Sequence, residues 1–253
     1  MVAVPPVPAS VSPSLVGHPL HPRRRTVHGL RQPVHGVREA VPVRLLDLFC
    51  GAGGASVGYA RAGFEVVGVD HVDQPRYPYD FIRADALAIL RRPEFLADFD
   101  VVHASPPCQA WSAYRRRRGV NRNAVDLIWI TRRMLMARAN VWVIENVPGA
   151  PLVNPVQLCG SSFGLYVRRH RLFESNVALV GSVCSHPRER AFPPASNRPN
   201  PRFTVEVGTY RVRRELSAAA MGTHWMTGDE MTQAIPPAYT AFLGEQLLGA
   251  LTA

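Results

Sequence analysis

An apolar run that stops on a cluster of glycines constrains this chain more than any other feature. Arg44-Leu45-Leu46-Asp47-Leu48-Phe49 leads directly into Cys50-Gly51-Ala52-Gly53-Gly54. The run has the length of a buried strand, and the glycines let backbone N–H groups at a following helix start approach a ligand closely. A helical stretch follows over 55–62. Phe64-Glu65-Val66-Val67-Gly68-Val69-Asp70 then predicts a second strand that ends on an acid. Residues 86–97 suit a helix, 100–104 a third core strand, 124–139 another helix and 141–145 a further buried strand. Strands alternating with helices predict a doubly wound, Rossmann-like α/β sheet covered on both faces.

That order places a ligand. Asp70, at the tip of the second strand, is positioned to accept hydrogen bonds from ribose hydroxyls, and Asp85 in the next connection to take an adenine amine. Singly, each has a plainer explanation, since glycine turns are common and acids after strands often cap helices. Their order and spacing together favour a nucleotide-like ligand.

The remainder of the 253 residues sets bounds. One sizeable domain, or one with a small appendage, is expected. No apolar run approaches the roughly 18 residues of a membrane span, so a cytoplasmic protein is expected. The net charge is +10 and all 29 basic residues are arginine. Such an excess fits a polyanionic partner, or a solvated surface with an arginine codon bias. Residues 1–42 are rich in Pro, Val, His and Arg, carry a near-repeat (Val27-His28-Gly29, Val34-His35-Gly36), and read as a disordered basic tail. Phosphate affinity, an over-extended reading frame and an inert leader all fit that tail. Cys50, Cys108, Cys159 and Cys184 lack paired metal spacing. Cys184 and His186 fall short of the four ligands of a structural zinc site, so no metal is expected.

With these residues in view, the sequence resembles the DNA (cytosine-5)-methyltransferase family. Asp47 to Gly54 is similar to its first motif, Ser105-Pro106-Pro107-Cys108-Gln109 to its catalytic loop, and Glu145-Asn146-Val147 to its Glu-Asn-Val motif. Arg169-His170-Arg171-Leu172-Phe173 resembles the paired-arginine motif. Arg214-Glu215-Leu216 and Gln233-Ala234-Ile235-Pro236-Pro237 resemble the last two, in the family's order. The resemblance implies the methyltransferase type of Rossmann-like fold, S-adenosyl-L-methionine as methyl donor, and DNA, duplex above all, as substrate. It also implies a bacterial or phage restriction-modification setting. The implied cofactor set is Phe49, Cys50, Gly51, Ala52, Gly53, Gly54, Asp70, His71, Asp85, Ala86, Pro106, Gln233 and Ala234. The implied catalytic set is Cys108, Glu145, Arg169 and Arg171.

The chemistry requires these residue types together. Cytosine carbon-5 is a poor nucleophile until a thiolate adds at carbon-6, and Cys108 follows a rigid Pro-Pro turn after a core strand. Addition pushes negative charge to nitrogen 3, where the Glu145 carboxyl can share a proton. Arg169 and Arg171 would fix the base carbonyl and a nearby phosphate, with Arg171 helping to position the loop. In a duplex the base must first leave the stack. Cys50 and Cys159 are assigned to packing.

Three departures from the family stand out. Val167 replaces a glutamine ahead of the paired arginines, and Gln233 replaces an asparagine. Only about forty residues, 174–213, occupy the place of the recognition domain, between a catalytic part over 43–173 and a returning part over 214–253. That segment is proline-rich, and its Arg188, Arg190, Arg198 and Arg202 suit phosphates better than a base code. A very short or relaxed recognition site is therefore expected. Cytosine in RNA, in single-stranded DNA or as a free nucleotide stays open as substrate, as does a non-catalytic binding homologue.

Overall fold

The computed structural model describes residues 42–111, 125–185, 190–191, 203–207 and 212–253. The N-terminal tail through 41, His186, Arg188, Arg198, Arg202 and the side chain of Arg190 lie outside the described residues. Strands β1 (Arg44–Leu48), β2 (Glu65–Asp70), β3 (Asp80–Arg83), β4 (Val101–Ala104), β5 (Val141–Asn146), β6 (Val156–Leu158) and β7 (Arg171–Ser175) form one sheet. Its order is β3-β2-β1-β4-β5-β7-β6. The first five run parallel, and β7 is antiparallel to both β5 and β6. A two-stranded parallel pair, β8 (Arg190–Ala191) and β9 (Phe203–Thr204), stands apart from it.

Helices cover both faces, as expected of strands that are apolar throughout. Leu46, Leu48, Val69 and Val102 pack against α2 (Ala86–Leu90), α3 (Pro93–Leu96) and α4 (Ile128–Arg138). On the other face Leu45, Val66, Val101 and Val143 meet α1 (Gly54–Ala62) and α7 (Pro237–Thr252). The helices α5 (Arg214–Met221) and α6 (Gly228–Gln233) complete the chain. A Cβ at Gly58 would come within 2.0 Å of Thr240 Oγ1 and 2.1 Å of Pro237 O, so α1 and α7 cross backbone to backbone. The Thr240 hydroxyl donates to Ala55 O at 2.8 Å across the same crossing.

One expectation is corrected by the fold, and one strand has no expectation to match. The helix read over 86–97 is two short helices, because Pro93 lacks an N–H and excludes helical geometry at Arg92 (φ −110°, ψ 82°). Strand β3, with its mixed exposure at the sheet edge, has no alternating apolar signal to announce it.

One buried ion pair holds the β5–β7 side together. Arg132 of α4 donates from Nε and Nη2 to both Glu174 oxygens, at 2.6 and 2.7 Å, and Nη2 also donates to Pro151 O at 2.8 Å. Val153 N adds a bond to Glu174 at 2.8 Å. Arg132→Ala leaves that carboxylate buried without its cation and should cost about 3–5 kcal/mol. Urea denaturation measures it, and a loss of under about 1 kcal/mol would place the pair in the weak surface class instead.

Candidate active site

The strand order reverses between β1 and β4, and their C-terminal ends open a crevice there, where open α/β sheets bind ligands. A cleft of about 400 Å³ occupies it. One wall is the glycine turn. Phe49 (φ 59°), Gly51 (φ 49°) and Gly53 (φ 84°) all sit in the left-handed region, which for Phe49 is strained. Gly54 admits no side chain, because a Cβ would lie 2.6 Å from Ile235 O; the Ala234–Ile235 segment thus presses directly onto the start of α1. Trp225 Nε1 fastens the turn by donating to Ala52 O at 2.8 Å.

Asp70 accepts from Gly51 N at 3.1 Å and from Val72 N at 3.0 Å. Oδ1 also lies 3.1 Å from His71 Nδ1, while Oδ2 keeps a second acceptor site. Asp47, on the floor, is fully buried. Burial, opposed by the hydrogen bond from Ser56 and reinforced by the charges of Asp70 and Glu145, pushes its pKa up to about 7. Tyr77 donates to Ser56 at 2.8 Å, and the Ser56 hydroxyl donates to Asp47 Oδ2. The other oxygen, Oδ1, has no hydrogen bond. Arg76 and Glu230, 154 residues apart, form a two-pronged ion pair (Nε–Oε2 2.8 Å, Nη2–Oε1 2.7 Å) that brings α6 to the loop after β2.

The opposite wall carries the reactive groups. Cys108 and Glu145 line the same cleft, with Ser105, Pro106 and Arg171. Asn146 Nδ2 donates to Pro106 O at 2.9 Å, and Asn146 Oδ1 accepts from Val147 N at 2.9 Å. The Glu-Asn-Val turn thereby fixes the Pro-Pro turn that carries Cys108. Arg171 Nε stands 3.1 Å from Glu145 Oε1, a contact between charges without hydrogen-bond alignment, so that buried oxygen has no hydrogen bond. Burial raises the Glu145 pKa, against the lowering effects of Arg171, the Ser105 hydrogen bond and Arg169. Burial also raises the Cys108 thiol, helped by the Glu145 charge and opposed by Arg171.

Behind Glu145 runs a buried relay. Tyr59 Oη meets His103 Nδ1 at 2.9 Å, His103 Nε2 meets Ser105 Oγ at 2.9 Å, and Ser105 bonds Glu145. Burial drops the His103 pKa to about 3, so the ring is neutral. The arrangement is satisfied if Tyr59 donates to Nδ1, Nε2–H donates to Ser105, and Ser105 donates to the carboxylate.

Most residues expected from sequence meet in this cleft: Phe49, Cys50, Gly51, Ala52, Gly54, Asp70, His71, Pro106, Cys108, Glu145, Arg171, Gln233 and Ala234. Four do not line it. Gly53 lies behind the turn against Tyr77 and Pro78. Asp85 caps α2, accepting from Ala88 N at 2.7 Å, and Ala86 is in the core beneath. Arg169 is engaged away from the cleft lining: it donates to Ala234 O (2.7 Å), Met231 O (3.0 Å) and Thr232 O (2.7 Å) at the end of α6. Freed carbonyls at a helix C-terminus draw a cation, and here they claim this one. Burial and the neighbouring Arg171 lower the Arg169 pKa to about 9. Sequence reasoning gives no separate role to Asp47, His103, Ser105 or Asn146. A lone histidine in an apolar strand is the one available signal, since a buried ring needs partners.

Fold and site together define a Rossmann-like α/β domain of the methyltransferase type. Two solved structures share that fold: the S. pombe Dnmt2 methyltransferase (13% identity, TM-score 0.51, covering 84% of this chain and 100% of that one) and the Entamoeba histolytica methyltransferase EhMeth (12%, 0.52, 84% and 99%). The family model described as C-5 cytosine-specific DNA methylase matches residues 43–154. Type II methyltransferase M.HgiGI of Herpetosiphon aurantiacus is 31% identical over 127 residues, 44% of this chain and 94% of that protein. Type II methyltransferase M.FnuDI of Fusobacterium nucleatum is 33% identical over 115 residues, 42% of this chain and 33% of that protein. The chain belongs to the C-5 cytosine-specific DNA methylase family. It spans about a third of M.FnuDI and of the Neisseria gonorrhoeae M.NgoPII, and about half of the Herpetosiphon M.HgiDI. Among the described residues, no helix is long and apolar enough to cross a membrane.

Proposed function

We propose that this chain transfers a methyl group from S-adenosyl-L-methionine to carbon-5 of cytosine in duplex DNA, with Cys108 as transient covalent nucleophile. The observation that carries the reading is one cleft lined by Cys108 and Glu145 on one side and by the glycine turn with Asp70 on the other. The donor's cationic groups and ribose diol fit a wall with an unpaired buried Asp47 oxygen and an acceptor site on Asp70. When bound, the donor supplies an electrophilic methyl group.

The side chains divide the remaining work. The Cys108 thiolate adds to carbon-6, and the displaced electron pair reaches carbon-5 as Glu145 holds a proton at nitrogen 3. Arg171 keeps the carboxyl in place, and the Asn146–Pro106 bond keeps the sulfur in place. After carbon-5 takes the methyl group it gives up its proton to a base, and the bond to sulfur breaks, restoring the thiolate and the aromatic ring.

Transfer of tritiated methyl groups to duplex DNA, single-stranded DNA, tRNA and dCMP tests substrate class. Duplex DNA should lead, and bisulfite sequencing of the product should read a short or relaxed site. Labelling of tRNA or dCMP alone would replace the proposed substrate while keeping the chemistry. Strict modification of a site of six or more base pairs would refute the short-site expectation.

A further inference from the structure

On the side of the sheet edge formed by β6 and β7, three segments bring two thiols and an imidazole together. Cys159 opens the 3₁₀ turn Gly160–Phe163, His170 directly precedes β7, and Cys184 lies on the returning stretch 181–185. The donor atoms of all three fall within 4.8 Å of one another, and His170 Nε2 is 3.2 Å from Cys184 Sγ. Zinc bonds of about 2.3 Å to sulfur and about 2.0 Å to nitrogen put tetrahedral donors roughly 3.3–3.8 Å apart. The cluster needs only side-chain adjustment to reach that spacing.

We propose that Cys159, His170 and Cys184 bind one zinc ion, with the fourth position open to water or a further donor. Two sulfurs and an imidazole favour zinc over the oxygen-seeking magnesium and calcium. Binding releases the two thiol protons, so two thiolates balance the dication and the neutral imidazole completes the set.

The scaffold is assembled around these ligands. A Cβ at Gly160 would lie 2.0 Å from Val167 O, and Gly160 N donates to Arg168 O at 2.8 Å, so the Cys159 turn is pressed against the chain leading to His170. Stretch 181–185 is held by Ser182 N to Gln157 O (2.9 Å), Ser162 Oγ to Val183 O (2.6 Å) and Ser185 N to Ser161 Oγ (3.1 Å). Ser161 Oγ lies 3.1 Å from the Cys159 sulfur, and Gln157 Nε2 stands 3.7 Å from that of Cys184, as polar groups around a metal thiolate do. Cys159 is buried and Cys184 exposed, which leaves an entry path. The site also touches the cleft, because Arg171 Nη1 donates to the carbonyl of His170 at 2.9 Å and Arg171 faces Glu145. Zinc would therefore staple the root of the proline-rich segment to the strand that carries Arg171. None of this depends on the methyl-transfer reading.

The test is metal analysis of the full chain, purified without chelators and passed over a gel-filtration column. About one zinc per chain is expected for a Cys₂His site, retained in Cys108→Ser and lost in Cys184→Ser. Cys184 is exposed, so that variant should keep its fold, which circular dichroism checks. Cobalt added to the metal-stripped wild type should produce thiolate charge-transfer and strong tetrahedral visible bands, weakened in His170→Ala. Absence of bound metal in the folded wild type, full zinc content in Cys184→Ser, or isolation as a metal-free Cys159–Cys184 disulfide would each overturn the proposal.

Discussion

Cys108→Ser is expected to abolish methyl transfer, a loss on the order of 10⁴- to 10⁶-fold, the scale on which enzymes feel removal of a covalent nucleophile. A hydroxyl is far less ionised and far less nucleophilic than a thiol in the same place, so addition at carbon-6 fails. The effect should be confined to chemistry. Cys108 is half-buried and serine is close to isosteric, so donor binding should stay within a few-fold and the melting temperature within a few degrees. Duplex DNA carrying 5-fluorocytosine separates this from a binding defect. The natural protein should form a covalent complex that survives denaturing electrophoresis, because fluorine at carbon-5 cannot leave as a proton does. The serine variant should form none. Adduct formation by the serine variant at the natural rate would end the nucleophile assignment.

Glu145→Gln should lower turnover by about 10² to 10⁴, the range for a positioned general acid. It carries a second, more diagnostic consequence. The Glu145 carboxylate raises the Cys108 pKa and Arg171 lowers it. Removing the carboxylate charge leaves the cation's effect unopposed, so the thiol should ionise at lower pH. The pH profile of Cys108 alkylation should shift to lower pH in Glu145→Gln while methyl transfer falls. A thiol that becomes more reactive in a slower enzyme would be hard to explain as a folding defect. An unmoved or upward-shifted profile would mean that the two groups do not share one electrostatic site.

The same pair of residues shows how much of a site is legible in the order of amino acids alone. Cys108 follows a strand and two prolines, and Glu145 lies at the end of an apolar strand; both statements are local, and both describe the folded protein. Parallel strands deliver their C-terminal ends to one edge of the sheet, so residues at those ends converge whatever the details of packing. Arg169 and Asp85 behave otherwise. Arg169 sits in the paired-arginine motif and Asp85 in the connection where an acid is expected, yet Arg169 is drawn to the carbonyls closing α6 and Asp85 to an N–H group opening α2. Which backbone groups such a side chain meets depends on distances between elements, and a linear sequence holds no such distance. His103 is legible only as an oddity in a strand; that its ring bridges Tyr59 and Ser105 depends on α1 lying over β4.

The residues between 44 and 146 by themselves determined the alternation of strand and helix, the glycine turn, and which chemistry-bearing side chains stand at strand ends, because each follows from neighbours a few positions apart. Tertiary structure alone decided the contacts made across long loops: Arg76 with Glu230, Trp225 on the glycine turn, and Cys159 with His170 and Cys184. Those depend on how β7 turns back against β5 and how the last helices cross α1. Such crossings are chosen by the packing of whole faces, since a single close approach, like that of Gly58 to Thr240, admits one arrangement and excludes its neighbours.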